Sequence, residues 1–204
     1  MTILNRRTFA IKPGKMREAV AVLQQAHAAY DGYDGPVRVY SSMFGDADLL
    51  QAEYEYDTLA DYEAMWAAWG QSPVAAELMA SMSPLEVRAH NNALRDVVAA
   101  NDVDGSANRI AIRYVRWPEG PGWADVPAAD IAEFVEPGEV VARLSSPHTG
   151  WWGEITLEME FVSLADFEAR QAEWMARPTS AAYNEAQIAR LRPGGRVEVW
   201  LIHH

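Results

Sequence analysis

The 204-residue chain carries 17 Lys and Arg against 29 Asp and Glu, a formal charge of -12, and half of its residues are hydrophobic, with eight Trp and eight Tyr. Such an acidic surface, without any cluster of Lys and Arg, excludes sequence-independent nucleic-acid binding, and zero cysteine excludes disulfides, thiolate nucleophiles and thiolate metal sites. No apolar run reaches the ~18 residues of a membrane span, and the N-terminus runs straight into a strand-like pattern, so a cytoplasmic protein is expected.

Residues 3–11 read as a strand that Pro13-Gly14 ends. Met16, Val20, Leu23, His27 and Tyr30 then recur at three-and-four spacing, along one side of a helix. Segments 37–44 and 49–56 alternate in period two around Gly45-Asp46-Ala47-Asp48, which predicts a hairpin. With Arg38 set opposite Glu55, one face holds Val37, Val39, Met43, Leu50, Ala52, Tyr54 and Tyr56. Arg38, Tyr40, Glu53 and Glu55 take the other. Thr58-Leu59-Ala60-Asp61 places a hydroxyl at an N-cap and a carboxylate at the third helical position, a capping-box variant. Leu59, Tyr62, Trp66 and Trp69 line one face of the helix that follows. It should break at Ser72-Pro73, where proline suits the first turn of another short helix, before a strand at 85–93. The polar stretch that begins at Ala99 reads as a linker.

Beyond the linker the pattern returns. A shift of 105 positions lays Leu59-Ala60-Asp61-Tyr62-Glu63 on Leu164-Ala165-Asp166-Phe167-Glu168. The same shift carries Arg38, Ser41, Gly45, Glu53 and Glu55 onto Arg143, Ser146, Gly150, Glu158 and Glu160, and Pro13, Trp69 and Pro73 onto Pro118, Trp174 and Pro178. Identities at one constant offset indicate two copies of one structural unit. The second copy has a less amphipathic helix at 124–135, a capped helix from Ser163 with Val162 and Phe167 as a hydrophobic staple, a break at Arg177-Pro178 and a last strand at 196–202. Each copy is therefore βαββαβ, the ferredoxin-like order, with domains expected at 1–98 and 108–204 and the linker at 99–107. The fold class is α+β.

Two such units in one chain, with the second helix interrupted before a proline, resemble the dimeric α/β-barrel superfamily. The segment 38–73 is most similar to its NIPSNAP-type and antibiotic-biosynthesis-monooxygenase-type branches. The resemblance implies a pseudo-symmetric barrel made within one chain, a fused pseudo-dimer with homo-oligomerisation left open. It also implies a small-molecule pocket between each sheet and its helices, and chemistry that includes cofactor-free oxygenation, haem reactions and isomerisation.

Three groups of residues are candidates for function. His27 interrupts an apolar helical stripe and should converge with Tyr54, Tyr56, Trp66 and Trp69; it is either a base working near neutral pH or a buried histidine satisfied by a carbonyl, among core aromatics. At the equivalent positions the second copy has Ala132 for His27 and Gln171 for Trp66, so a working pocket is expected in the first half. The polar sheet face gathers Arg38, Glu53, Glu55, Arg88 and His90, echoed by Arg143, Glu158, Glu160 and Glu198. These groups must pair if buried, and their retention in both halves suits a structural role. Trp117, Trp123, Trp151 and Trp152 sit at loop ends, as a ligand or partner surface or as a lid. No metal or cofactor site is expected: His27 with Asp31 and Glu86 with His90 lack a third ligand, and phosphate-loop, nucleophile-elbow and dinucleotide motifs are missing. The expected function is action on a small apolar or aromatic molecule, monooxygenase- or isomerase-like without a cofactor. The alternatives are a non-catalytic NIPSNAP-like binding or interaction protein, and a haem protein.

Overall fold

The computed structural model describes residues 2–44, 48–119, 125–149 and 153–204, and among these not the side chains of 88–90, 186 and 188. The expected turn at 45–47, the helix start at 124, Trp123, Trp151, Trp152 and the side chains of Arg88 and His90 lie outside the described residues. The chain divides into two compact units, Met1–Asp96 with Ile202–His204, and Val97–Leu201.

The first unit runs β1 (Ile3–Ile11), α1 (Met16–Ala29), β2 (Val37–Phe44), β3 (Leu49–Tyr56), α2 (Leu59–Gly70), α3 (Pro73–Met82) and β4 (Glu86–Ala100). Its strands pair antiparallel in the order β4-β1-β3-β2. The second runs β5 (Ile110–Arg116), α4 (Asp125–Asp130), a π turn (Ile131–Val135), β6 (Val141–Pro147), β7 (Ile155–Phe161), α5 (Leu164–Met175), α6 (Ser180–Arg190) and β8 (Arg196–His203). Its strands take the order β8-β5-β7-β6. The two orders are the same once each unit's strands are numbered from its own start, so the sequence repeat is also a repeat of topology. Among the described residues no helix is long and apolar enough to cross a membrane.

Both capped helices form as their residues dictate. Thr58 Oγ1 accepts from the amide of Asp61 at 3.1 Å, and Ser163 Oγ from that of Asp166 at 3.1 Å. Pro73 opens α3 behind the cap of Ser72, whereas Pro178 stands before the N-cap Thr179 of α6 instead of in its first turn. Two further expectations are corrected. β4 continues to Ala100, so strand replaces the first residues of the stretch read as a linker, and the compact units meet after Asp96. The helix expected at 124–135 is α-helical only to Asp130 and widens into the π turn, where the Glu136 amide reaches back to the Ile131 carbonyl at 2.9 Å.

The hairpin register also differs. Arg38 stands opposite Glu53, with Val39 opposite Ala52 and Val37 opposite Tyr54. The shift is two residues from the expected pairing, and an even shift returns every side chain to the same face. On the helix-covered face, Ile3, Phe9, Val39, Leu50, Ala52, Tyr54 and Tyr56 pack against Ala19, Val20, Leu23 and Ala26 of α1 and Leu78 and Met82 of α3. On the opposite face Glu53, 1% exposed, takes Arg6 Nε at 2.5 Å, and Arg38 reaches Glu55 diagonally at 3.7 Å. The second unit gathers Arg143, at 2.6 Å, and Arg113 on Glu158.

A carboxylate buried between two guanidiniums is strongly destabilising to remove, because the cations keep their desolvation cost and lose their partner. Glu158→Leu should therefore cost about 3–5 kcal/mol of unfolding free energy in chemical denaturation. Thr58→Ala, which removes one cap, should cost about 1 kcal/mol.

Candidate functional site

β1, α1, β3 and α2 bring the first candidate group together. The period-two alternation of β1 sends Ile3, Asn5, Arg7, Phe9 and Ile11 to one face, and the register sets Asn5 beside Tyr54 and Arg7 beside Ala52. α1 crosses this face and lowers His27 onto β3, where its Nε2 shares a hydrogen bond with the Tyr54 hydroxyl, the rings meeting edge to face at 5.2 Å. Arg7, His27, Tyr30, Tyr33, Val37, Tyr54, Met65 and Trp69 enclose a space of about 30 Å³. Outside it lies a cleft of about 660 Å³ under α2, walled by the 32–36 loop, Glu55, Tyr56, Asp57 and the α2 residues Asp61, Ala64, Met65 and Ala68. Tyr33 and Met65 line both, so the inner space and the outer cleft adjoin.

The electrostatics of this wall follow from burial. Desolvation, then the nearby Arg7 charge, pushes His27 down to about 4, so the imidazole is neutral at neutral pH. Tyr54 is pushed up to about 12 by burial against the opposing pull of Arg7. Tyr33, also raised to about 12 chiefly by burial, is fixed by backbone bonds, donating to the Glu55 carbonyl at 2.7 Å and accepting from the Glu55 amide at 2.8 Å. Arg7 is therefore the charge of the inner space, 7% exposed, with its guanidinium 3.7 Å from the centre of the Trp66 ring and 5.5 Å from that of Tyr54.

The sequence reading placed Tyr54, Tyr56, Trp66 and Trp69 around His27, and the structure separates them. Tyr54 and Trp69 line the inner space, Tyr56 lines the outer cleft, and Trp66 caps Arg7 while 37% exposed. No residue of α2 is fully buried, but Tyr62, Met65 and Trp69 pack against the core, Tyr62 meeting Tyr56 edge to face at 5.5 Å and Trp69 meeting Tyr30 at 4.8 Å. Arg38 and Glu55, with Glu53, lie on the sheet, with their ion pairs on the face away from α1. Arg143, Glu158 and Glu160 hold the equivalent places in the second unit. Arg6 and Arg7 were missed, although a cation in the apolar alternation of β1 was a legible signal.

The second unit has its own cavity, about 290 Å³, lined by Tyr114, Arg116, Phe134, Gln171, Trp174 and Tyr183 among others. Here the cation is paired. Arg116 binds Asp130, which also accepts from Tyr183 Oη at 2.5 Å and from Gln187 Nε2 at 3.3 Å, and burial raises the Asp130 carboxyl. Trp117, half-buried, accepts the Arg192 amide on its carbonyl at 2.9 Å. The described donors do not suit haem: α2 and α5 carry no histidine, and His27 is tied to Tyr54 in a space far too small for a macrocycle.

The depressed His27 sets a pH dependence. In the native protein the imidazole takes up a proton only near 4, whereas the unfolded chain does so near the ordinary histidine value of 6.5. Below 6.5 the unfolded state binds more protons, so its contribution to stability is full above 6.5, falls on acidification to about 4 and then levels off. The loss should be on the order of 3 kcal/mol, read from urea midpoints across that range, and His27→Gln should remove this component.

Comparison with known proteins agrees with the geometry. No curated protein matches the chain in sequence. Solved structures do match its fold. The protein named "putative monooxygenase (FN1347)" from Fusobacterium nucleatum superposes with a TM-score of 0.75 at 13% identity, covering 98% of this chain and 92% of that one. A "putative monooxygenase" from Lactobacillus acidophilus gives 0.73 at 8% identity, covering 98% and 93%. An anthrone oxidase-like protein gives 0.67 at 10% identity, covering 100% and 92%. At these identities the likeness is one of fold, an α+β arrangement of antiparallel strands and helices. In sequence, residues 4–98 match the NIPSNAP family model, which identifies the first unit as NIPSNAP-like.

Proposed function

We propose that the first unit binds a small apolar or aromatic organic molecule in the cleft under α2, with the His27–Tyr54 pair at its inner end. The observation that carries this reading is a neutral imidazole and a neutral phenol, hydrogen-bonded to each other, in the wall of a cavity between sheet and helices. The inner end, where Val37, Met65 and Trp69 surround a few convergent polar groups, has the usual make-up of a ligand site. The solved structures of like fold that bear monooxygenase names support an organic ligand, and the NIPSNAP-like first unit accords with it.

The pair can move a proton. A ligand C–H or O–H gives its proton to Tyr54 Oη while the tyrosine proton passes to Nε2 of His27, leaving a ligand anion and an imidazolium. That step is shared by isomerisation and by oxygenation without a cofactor. A second reading, binding without turnover, is favoured by one observation: an imidazole depressed to about 4 is a weak base at neutral pH. The same reading includes the finer architecture, two ferredoxin-like halves serving as a fused pseudo-dimer, supported by the repeated strand order and checked by a monomeric mass in light scattering.

The two halves give an internal control. A panel of aromatic ligands ranked by thermal shift should yield binders that His27→Ala weakens by about 1–3 kcal/mol, the cost of one lost polar contact. Gln171→Ala should leave them unaffected. Oxygen uptake or ligand proton exchange with those binders marks an enzyme, and its absence marks a binding protein. Equal losses from both variants would mean two working pockets; unchanged binding in His27→Ala would remove His27 from the site.

A further inference from the structure

The cleft reading leaves Arg7 unexplained. Its guanidinium is buried on the apolar, helix-covered face, where an ionised group without a partner is costly. Among the described residues it has no carboxylate partner, and its Nε has no hydrogen-bond acceptor. The contrast within the chain is sharp: Arg6, the next residue, has Glu53, and Arg116 of the second unit has Asp130. The guanidinium lies over the Trp66 ring and close to that of Tyr54, and a ring face does not accept the in-plane N–H groups of a guanidinium stacked on it.

Two other buried polar atoms nearby are also without partners. They are the hydroxyls of Tyr30, which lines the inner space, and Tyr56, which lines the adjoining cleft. The Arg7 N–H can only donate and either hydroxyl can donate as well as accept, so an acceptor placed beside Arg7 would satisfy them; Asn5 Oδ1, on the same face of β1, is an acceptor likewise without a partner. The inner space of about 30 Å³ admits roughly two water-sized groups, the size of a pair of ligand oxygens. The outer cleft is different in character, for Asp34, Glu55, Asp57 and Asp61 line it and repel a second negative charge.

We propose that the inner space is the head-group site of a planar organic monoanion, a carboxylate or enolate, with Arg7 as its counter-ion and the Tyr30 hydroxyl as a further donor. The assignment rests on the cleft being a ligand site and adds the ligand's chemical class. The anionic end lies against Arg7, and the apolar body passes Tyr33 and Met65 into the outer cleft, where the acidic rim discriminates against dianions. The same placement deepens the chemistry of the His27–Tyr54 pair, since negative charge beside Arg7 removes its repulsion of a protonated imidazole.

Calorimetry with three probes tests it: benzoate, the uncharged and nearly isosteric benzamide, and the dianion phthalate. Benzoate should bind the wild-type protein roughly tenfold or more tighter than either of the others. Arg7→Met should abolish that preference and raise the melting temperature of the ligand-free protein, because it replaces an uncompensated buried cation by an apolar chain of similar length. Should Arg7→Met not fold, Arg7→Lys takes its place and should retain part of the preference, while benzoate affinity for the wild type should fall with added salt. Equal affinity for benzoate and benzamide, or a preference that survives Arg7→Met, would overturn the proposal. Benzamide binding that needs His27 and ignores Arg7 overturns the anion alone; no binding of any probe overturns the cleft reading with it.

Discussion

Burying a guanidinium obliges the protein to supply negative charge or to leave the cost standing, and this constraint organises both faces of the first sheet. On the face away from α1, Glu53 sits fully desolvated and is tolerated because Arg6 donates to it directly. The second unit has the same solution, two arginines from neighbouring strands converging on Glu158. The cations hold equivalent places in both units: Arg6 of β1 and Arg113 of β5 stand opposite the carboxylate from one side, and Arg38 of β2 and Arg143 of β6 from the other. Charge pairing of this kind fixes strand register, since a slip of one residue would expose the acid on the wrong side of the pleat.

On the helix-covered face the same obligation is left unmet. Arg7 lies among Tyr54, Trp66 and the imidazole of His27, groups that shield it from water without neutralising it. Its charge then propagates: it lowers His27 further than burial alone and opposes the rise of Tyr54. The dyad's proton affinities are thereby tied to whatever occupies the space beside the guanidinium.

α2 fits that picture. With no fully buried residue, it lies on the core through the partly buried Tyr62, Met65 and Trp69 and over the Arg7 cation through the Trp66 indole. Its second-unit counterpart α5 is anchored better, with Trp174 buried against Phe134 and Phe161. The two cavities have therefore diverged in opposite senses. One holds a cation without a carboxylate partner among the described residues; the other holds a cation neutralised by Asp130, which stands just before a π turn in the chain.

Much of the fold was legible in the chain itself. The repeat at a constant shift, the two capped helices at Thr58 and Ser163, and the sidedness of β2 and β3 all rest on local chemistry: a hydroxyl three residues before a carboxylate, or alternation in period two. Parity survives a register error, which is why the faces and the Arg38–Glu55 ion pair were right while the residue directly opposite Arg38 was not. The strand length of β4 and the widening after Asp130 were not legible, because both depend on pairing and packing with residues far along the chain. The site divided in the same way. His27 with Tyr54 followed from helical and strand periodicity, and Arg7 was visible as a charge in an apolar alternation. Tertiary structure alone decided that no carboxylate among the described residues reaches Arg7, that Trp66 covers a cation instead of filling a core, and that Tyr56 opens onto a different space from Tyr54. Periodicity assigns a residue to a face, and only the packing of other elements onto that face determines what it meets there.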